Sequence, residues 1–108
     1  MTYTATYNRP ELVRGDTLLG WSVTISIDGY PATISSARSQ LRTPRNSLIH
    51  EFDVIVVGNV VTIGRVLPEV TATWPLDVLE YDLEITLEDG RVVTWLRGQQ
   101  KITLDRTF

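Results

Sequence analysis

The chain of 108 residues contains no cysteine and only one histidine, His50. Without cysteine there is no disulfide framework and no thiolate metal site. A Ser-His-acid set would have to use His50, and no serine occurs in a nucleophile-elbow context. We interpret His50 as an ordinary surface or rim residue. The sequence therefore predicts a protein that is not an enzyme, with no catalytic residues, no cofactor and no metal site.

Long apolar runs are also missing. No stretch approaches the roughly 20 residues that cross a bilayer, and the N-terminal MTYTATYNRP lacks the apolar segment of a signal peptide. The formal charge of −3 argues against nucleic acid, which basic patches recognise. We expect synthesis in the cytoplasm, with neither membrane nor nucleic acid as partner. Nine of the ten cations are arginine, a residue that suits protein interfaces.

The residues that are abundant favour β-structure. Valine, isoleucine and threonine make up 34 of the 108 residues, and β-branched side chains pack well on a pleated sheet. Residues 21–27 and 79–87 alternate apolar with polar side chains, as half-buried strands do. Asp28-Gly29 and Asp89-Gly90 follow these two runs and predict turns, the second between the strands of a hairpin.

The remaining segments complete this prediction. Pro68 could begin a short helical turn and Pro75 would end it, while Gly98 could permit a bulge or corner, so that the second half forms a three-stranded meander. We expect one domain over residues 1–108, with residues 1–10 as an arm or edge strand. The fold class is all-β, an antiparallel β-sandwich of about seven strands. Further strands are predicted at 37–42, 48–57, 60–66, 92–96 and 100–105, with a turn at Gly58-Asn59.

Three groups of residues could serve a binding function, and each also has a structural interpretation. Glu80, Asp82 and Glu84 share one face of a strand, where a solvated ridge balanced by neighbouring arginines is favoured over a calcium or acid-base site. Residues 14–16 read Arg-Gly-Asp, which we interpret as a turn before a strand near Thr17. Trp21, Trp74 and Trp95 favour core packing. Of these three, Trp74 is the one we expect to be partly exposed.

Four segments form a familiar set: RGDT at 14–17, ISSARSQLR at 34–42, LPEVTATWP at 67–75, and YDLEI at 81–85 with DGRVVTWLRG at 89–98. Their order and spacing resemble a family of small phage and prophage proteins with an immunoglobulin-like β-sandwich, similar to the N-terminal domain of baseplate upper proteins. One departure is TISSA at 33–37, where the family usually has DLTGA, so the local turn of the family is not implied here.

The resemblance implies a non-enzymatic structural protein of a tailed-phage virion, an adaptor in the tail, baseplate or fibre-attachment region. Its partners would be other virion proteins of the baseplate, tail or fibre, and copies of itself. Candidate partner-binding residues are Tyr3, Tyr7 and Phe108 near the termini, which would suit strand exchange with a neighbour, and Trp74. A capsid decoration (cement) protein and a carbohydrate- or receptor-binding module remain as alternatives.

Overall fold

The computed structural model describes residues 5–104 and shows a protein that is 57% strand and 4% helical, which confirms the predicted all-β class. No helix in this range is long and apolar enough to cross a membrane. The one helical element is α1, Pro68–Thr71. The strands are β1 Ala5–Thr6, β2 Leu12–Val13, β3 Trp21–Thr24, β4 Ser26–Ile27, β5 Tyr30–Pro31, β6 Ile34–Arg42, β7 Leu48–Glu51, β8 Val54–Val57, β9 Val60–Ile63, β10 Val78–Leu87 and β11 Val92–Thr103.

These strands form two main sheets around one hydrophobic core. The larger sheet has the order β1-β11-β10-β6-β7, with β2 also paired to β11, and the smaller sheet has the order β3-β9-β8. Strand β8 packs against β6, and buried side chains from both sheets belong to one cluster. β4 and β5 form a separate two-stranded hairpin.

Strand β10 lies at the centre of the larger sheet, and its sequence alternates apolar with polar residues from Leu79 to Leu87. Its five apolar odd-numbered residues, from Leu79 to Leu87, are all at most 5% exposed, whereas Glu80, Asp82 and Glu84 lie on the opposite face. Period-2 alternation places one set of side chains in the core and the other towards water. The predicted strand and its Asp89-Gly90 hairpin are confirmed, and Gly90 has the positive φ of 93° that such a turn requires.

The return strand differs from the prediction of a three-stranded meander. β11 continues from Val92 through Gly98 to Thr103 without a corner, and the second neighbour of β10 is β6. A β-bulge lies at Trp95, because Leu83 pairs with Leu96 while Glu84 pairs with Thr94. The extra residue moves the core face of β11 from odd to even positions. Leu96, Gln100 and Ile102 are consequently buried.

The N-terminal segment also corrects the prediction of a purely antiparallel fold. β1 and β2 both run parallel to β11, along the side that β10 does not occupy. Between them, the backbone N–H groups of Tyr7 and Arg9 donate to the carbonyls of Arg97 and Gln99, each at 2.9 Å. Residues 5–13 therefore form an edge element of the larger sheet; residues 1–4 of the predicted arm or edge strand over residues 1–10 lie outside the described residues.

The middle of the chain changes sheets. The predicted strand over residues 48–57 is split into β7 and β8 at Phe52 and Asp53, and the two halves belong to different sheets. The predicted turns at Asp28-Gly29 and Gly58-Asn59 are confirmed. Residues 14–16 form the predicted turn, but the following strand begins at Trp21 rather than near Thr17.

Candidate interaction surfaces

The N-terminal segment is held to the core by an aromatic cluster of Tyr7, Trp21 and Tyr81. The Trp21 ring lies 6.4 Å from that of Tyr7 and 5.9 Å from that of Tyr81, measured between centroids. The guanidinium of Arg9 lies 4.8 Å from the centroid of the Trp21 ring, within cation–π range. The Tyr81 hydroxyl donates to the carbonyl of Tyr7. These contacts cover one face of Trp21 and leave Tyr7 48% exposed.

Burial changes the ionisation of two members of this cluster. Loss of solvent disfavours a charged tyrosinate, and it raises the pKa of Tyr81 to about 12. The same effect lowers the pKa of Arg9 from its ordinary value. Tyr81 is therefore a neutral hydrogen-bond donor at physiological pH, which fits a role in holding the N-terminal segment in place.

Trp74, a predicted partner-binding residue, is not exposed. It is 2% accessible and belongs to the core, so the expectation of partial exposure is wrong. The α1 turn is anchored by Thr71, whose hydroxyl donates to the carbonyl of Asp16 at 2.7 Å, and Trp74 lies three residues after Thr71. The half-buried tryptophans are instead Trp21 and Trp95, which pack at the edge of the core.

His50 packs against aromatic rings. Its ring centroid lies 5.2 Å from that of Phe52 and 5.6 Å from that of Trp74. Burial lowers the pKa of His50, and the nearby charge of Asp53 opposes this effect only in part. The histidine is therefore neutral at pH 7 and half-buried at the rim of the core, in line with its predicted role as a rim residue.

The acidic ridge of β10 lies between two strands that carry arginine. Register pairs Glu80 with Arg42 on β6 and Asp82 with Arg97 on β11. Directly opposed side chains on one face of a sheet have Cβ atoms roughly 4.5–5.5 Å apart, close enough for opposite charges to compensate. Farther along, an ion pair of 3.1 Å joins Glu84 to Arg38 on β6. The predicted balance by arginines of neighbouring strands is thus an ion pair at Glu84 and a matter of strand register at Glu80 and Asp82.

A shallow polar groove of about 550 Å³ follows this face, with Glu80, Asp82, Arg42 and Arg97 among its lining residues. Two carboxylates and two guanidinium groups leave the groove without net charge. Within residues 5–104, no group of three or more His, Asp or Glu residues is arranged to hold a metal ion. The groove offers hydrogen bonds to a polar surface, and His50 is not among its lining residues.

Strand β8 forms a surface that the sequence analysis missed. Ile55 and Val57 point away from the core and are 64% and 70% exposed, although both side chains are β-branched and apolar. In the described part of the chain, β8 pairs with β9 alone and so lies at the edge of the smaller sheet. The sequence signal for this surface is the continuous apolar run Val54-Ile55-Val56-Val57. A strand with one solvent-exposed face normally alternates apolar with polar residues instead.

Comparison with protein-family models and with curated proteins finds no match to this sequence. Its function must therefore be argued from the residues. Of the predicted partner-binding residues, Tyr7 is half-exposed and Trp74 is buried, whereas Tyr3 and Phe108 lie outside the described residues. The structure brings Tyr7 to Tyr81 and Trp21, a grouping that residue spacing did not indicate.

Proposed function

We propose that this protein is a non-enzymatic structural part of a tailed-phage virion, an adaptor in the tail, baseplate or fibre-attachment region. In this proposal the two sheets form an immunoglobulin-like β-sandwich, related to the small phage and prophage proteins that the sequence resembles. Its partners are other virion proteins and copies of itself. It recognises them through surfaces and strand edges rather than through a deep pocket.

The observation that carries the proposal is that the four segments behind the resemblance contact one another in two pairs. The first and third segments are joined where the Thr71 hydroxyl donates to the carbonyl of Asp16 at 2.7 Å. The second and fourth are joined by the pairing of β6 with β10, where the Ser39 hydroxyl donates to the carbonyl of Asp82 at 2.5 Å. Contacts of this kind specify a fold, so a shared pattern at these residues supports a shared architecture.

The surface chemistry supports a part that docks onto proteins. The face of the larger sheet carries compensated charges with arginine on both sides of an acidic strand, and arginine is favoured at protein interfaces. Strand β8 adds the exposed apolar side chains of Ile55 and Val57. Mixed polar and apolar surfaces of this kind are typical of subunits in an assembly.

The alternative of a carbohydrate-binding module needs an aromatic ring with a free face. Trp74 is buried in the core. The face of Trp21 is occupied by the guanidinium of Arg9, and the edge of Trp21 meets Tyr81. These contacts argue against a sugar-binding platform built on Trp21 or Trp74. A capsid decoration protein has the same surface chemistry as a tail adaptor, and only its location in the particle differs.

The decisive experiment is mass spectrometry of purified particles from the phage or induced prophage whose genome encodes the chain, followed by cryo-EM localisation. We expect the protein in the particle fraction at a fixed ratio to the tail proteins, with density at the tail, baseplate or fibre base. A known capsid protein and a known non-structural phage protein provide the positive and negative controls.

Two results would contradict this proposal. Presence in the lysate together with absence from particles would remove the virion role altogether. Density distributed over the head lattice would replace the adaptor with the decoration protein. A glycan array probed with the purified chain completes the set, since specific sugar binding without particle association would favour the carbohydrate-binding module.

A further inference from the structure

We infer that a groove at one end of the larger sheet, between the β4–β5 hairpin and the turn that joins β10 to β11, is a binding site for a neutral saccharide. The groove has a volume of about 370 Å³, within the range of roughly 300–1,000 Å³ that is typical of sites for small molecules. The inference concerns the isolated chain and does not rest on its proposed place in a virion. The groove is lined by residues that include Tyr30, Thr33, Glu88 and Arg91.

The first wall of the groove is the β4–β5 hairpin, which presents an aromatic ring to solvent. Asp28 and Gly29 form its two-residue turn, and both have the positive φ, 53° and 82°, that a type I′ turn requires. Ile27 and Tyr30 flank the turn as a directly opposed pair, so their side chains lie on the same face of the hairpin. Ile27 packs against the core, whereas Tyr30 is 75% exposed. Among residues 5–104, no other aromatic ring stacks on Tyr30.

The second wall is the turn of the β10–β11 hairpin, where a guanidinium is held in place. The backbone N–H of Arg91 donates to Oδ1 of Asp89 at 3.0 Å, and its Nε donates to Oδ2 at 2.8 Å. The backbone N–H, with help from the guanidinium, lowers the pKa of Asp89. In the described part of the chain, the terminal Nη groups of Arg91 have no partner and remain as donors for a ligand. The two walls are joined where the backbone N–H of Glu88 donates to the carbonyl of Thr33 at 3.0 Å.

The apolar side chains of the groove suit one face of a sugar ring. Ile27, Ala32 and Leu87 line the groove together with Tyr30. The C–H groups on one face of a pyranose pack on an aromatic ring because both surfaces are apolar. An apolar wall with a few convergent polar groups is typical of sites for small ligands. Tyr30 therefore supplies the free aromatic face that the tryptophans of this protein do not.

The polar groups of the groove supply both donors and acceptors. The Glu88 carboxylate accepts hydrogen bonds, the Arg91 guanidinium donates them, and the Thr33 hydroxyl does both. Within residues 5–104, the Glu88 carboxylate has no ion pair of its own. A sugar hydroxyl both donates and accepts, so a carboxylate and a guanidinium at one site can satisfy it together.

The charges of the groove favour a neutral ligand over an ionic one. The charged lining residues are the carboxylates of Glu88 and Asp89 and the guanidinium of Arg91, and Asp89 and Arg91 form an ion pair. An anion would be repelled by the two carboxylates, and a cation would be repelled by the guanidinium. A neutral ring that carries hydroxyl groups meets no like charge and can bond to both kinds of group.

The first experiment is an NMR titration of the isotope-labelled full chain with glucose, galactose, mannose, rhamnose and N-acetylglucosamine. Each sugar is added up to about 50 mM, because a shallow site binds a single ring in the millimolar range. At least one sugar should shift the amide signals of residues 27–33 and 87–91 to saturation. Tyr30→Ala should raise the Kd of that sugar by about tenfold or more, whereas Tyr30→Phe keeps the ring and should bind nearly as well as the wild type.

The matched control is Leu48→Ala. It removes another exposed apolar side chain, 51% accessible, at the opposite end of β6 from the groove, where Leu48 pairs with Arg42. This variant should bind the sugar like the wild type. Circular dichroism confirms that all the variants are folded.

The second experiment tests the ligand class in the same titration. N-acetyl-lysine amide is the cationic probe and N-acetylneuraminic acid is the anionic one, and both should shift the groove signals less than the neutral sugar does. The Kd of the neutral sugar should stay the same in about 0.5 M NaCl, because salt screens only the attraction between charges. Arg91→Ala should raise that Kd by about threefold or more, since it removes the held hydrogen-bond donors.

Three results would overturn the inference. The first is a wild type whose groove signals do not move with any of the five sugars. The second is sugar binding that Tyr30→Ala and Leu48→Ala leave equally strong. The third is a larger response to N-acetyl-lysine amide than to every neutral sugar, which would assign the groove to a basic partner. Sugar binding by a chain that is absent from phage particles would support this inference and refute only the proposed function.

Discussion

The hydroxyl of Tyr81 donates a hydrogen bond to the backbone carbonyl of Tyr7, 74 residues earlier in the chain. The two groups meet above Gly98, where a side chain on the core face of β11 would otherwise stand. This contact, together with the Arg9–Trp21 stack, holds the N-terminal segment parallel to β11. The position of the N-terminal segment therefore depends on the absence of a side chain at Gly98 as well as on these contacts.

Gly98→Ala should displace the N-terminal segment, since a Cβ at residue 98 would overlap the carbonyl of Tyr7. Overpacking of this kind costs about 1–3 kcal/mol in free energy of unfolding, measurable by urea denaturation. The amide protons of Tyr7 and Arg9 should also exchange faster in NMR. Gly64→Ala is the control, because its nearest neighbour would be 3.4 Å away. Equal losses for the two variants would contradict the proposed close approach.

Tyr81→Phe should lower the free energy of unfolding by about 1–2 kcal/mol at neutral pH, because it leaves the Tyr7 carbonyl without its donor. Burial raises the pKa of Tyr81 from 10.0 to about 12. The stability that this shift provides is fully present below pH 10 and is lost as the pH rises through about 12. Urea midpoints measured across this window should fall more steeply for the wild type than for Tyr81→Phe. The exposed Tyr30→Phe, at a residue 75% accessible, should keep the wild-type profile.

His50→Phe should reduce the sensitivity of the fold to mild acid. Burial against Phe52 and Trp74 lowers the pKa of His50 below 6.5. The stability linked to this shift is present above pH 6.5 and is lost as the pH falls through the lowered folded-state pKa. Thermal unfolding of the two proteins between about pH 7.5 and about pH 5 should show a larger decline for the wild type. Parallel profiles would show that other groups dominate the acid response.

Trp74→Ala should destabilise the protein by about 3–5 kcal/mol, the range for removing a fully buried large aromatic side chain. Trp74→Phe should lose less, because it refills part of the cavity. Trp95→Ala, at a half-buried residue, should cost less than Trp74→Ala. Chemical denaturation followed by circular dichroism measures all three. A small loss in free energy of unfolding for Trp74→Ala would contradict its burial and return Trp74 to the candidate partner-binding residues.

The residue pattern alone determined the all-β class and the strands that have one buried and one solvent-exposed face. Period-2 alternation in β10 and the Asp89-Gly90 turn are local properties, so they could be read without knowing what lies opposite. The turn at Gly58-Asn59 and the helical turn at Pro68 are local in the same sense. The arginines beside the acidic ridge were also anticipated, because a row of like charges on a sheet needs compensation from its neighbours.

Only the tertiary structure decided the pairing of distant segments. The bulge at Trp95 reverses which side chains of β11 face the core. The local sequence pattern of β11 does not indicate this bulge. The role of Gly98 depends on the approach of Tyr7, and the burial of Trp74 depends on how the α1 turn packs. Strand β8 joins the smaller sheet because the chain changes sheets at Phe52 and Asp53. Each is a non-local contact between segments far apart in sequence, whereas alternation and turn chemistry describe only neighbours along the chain.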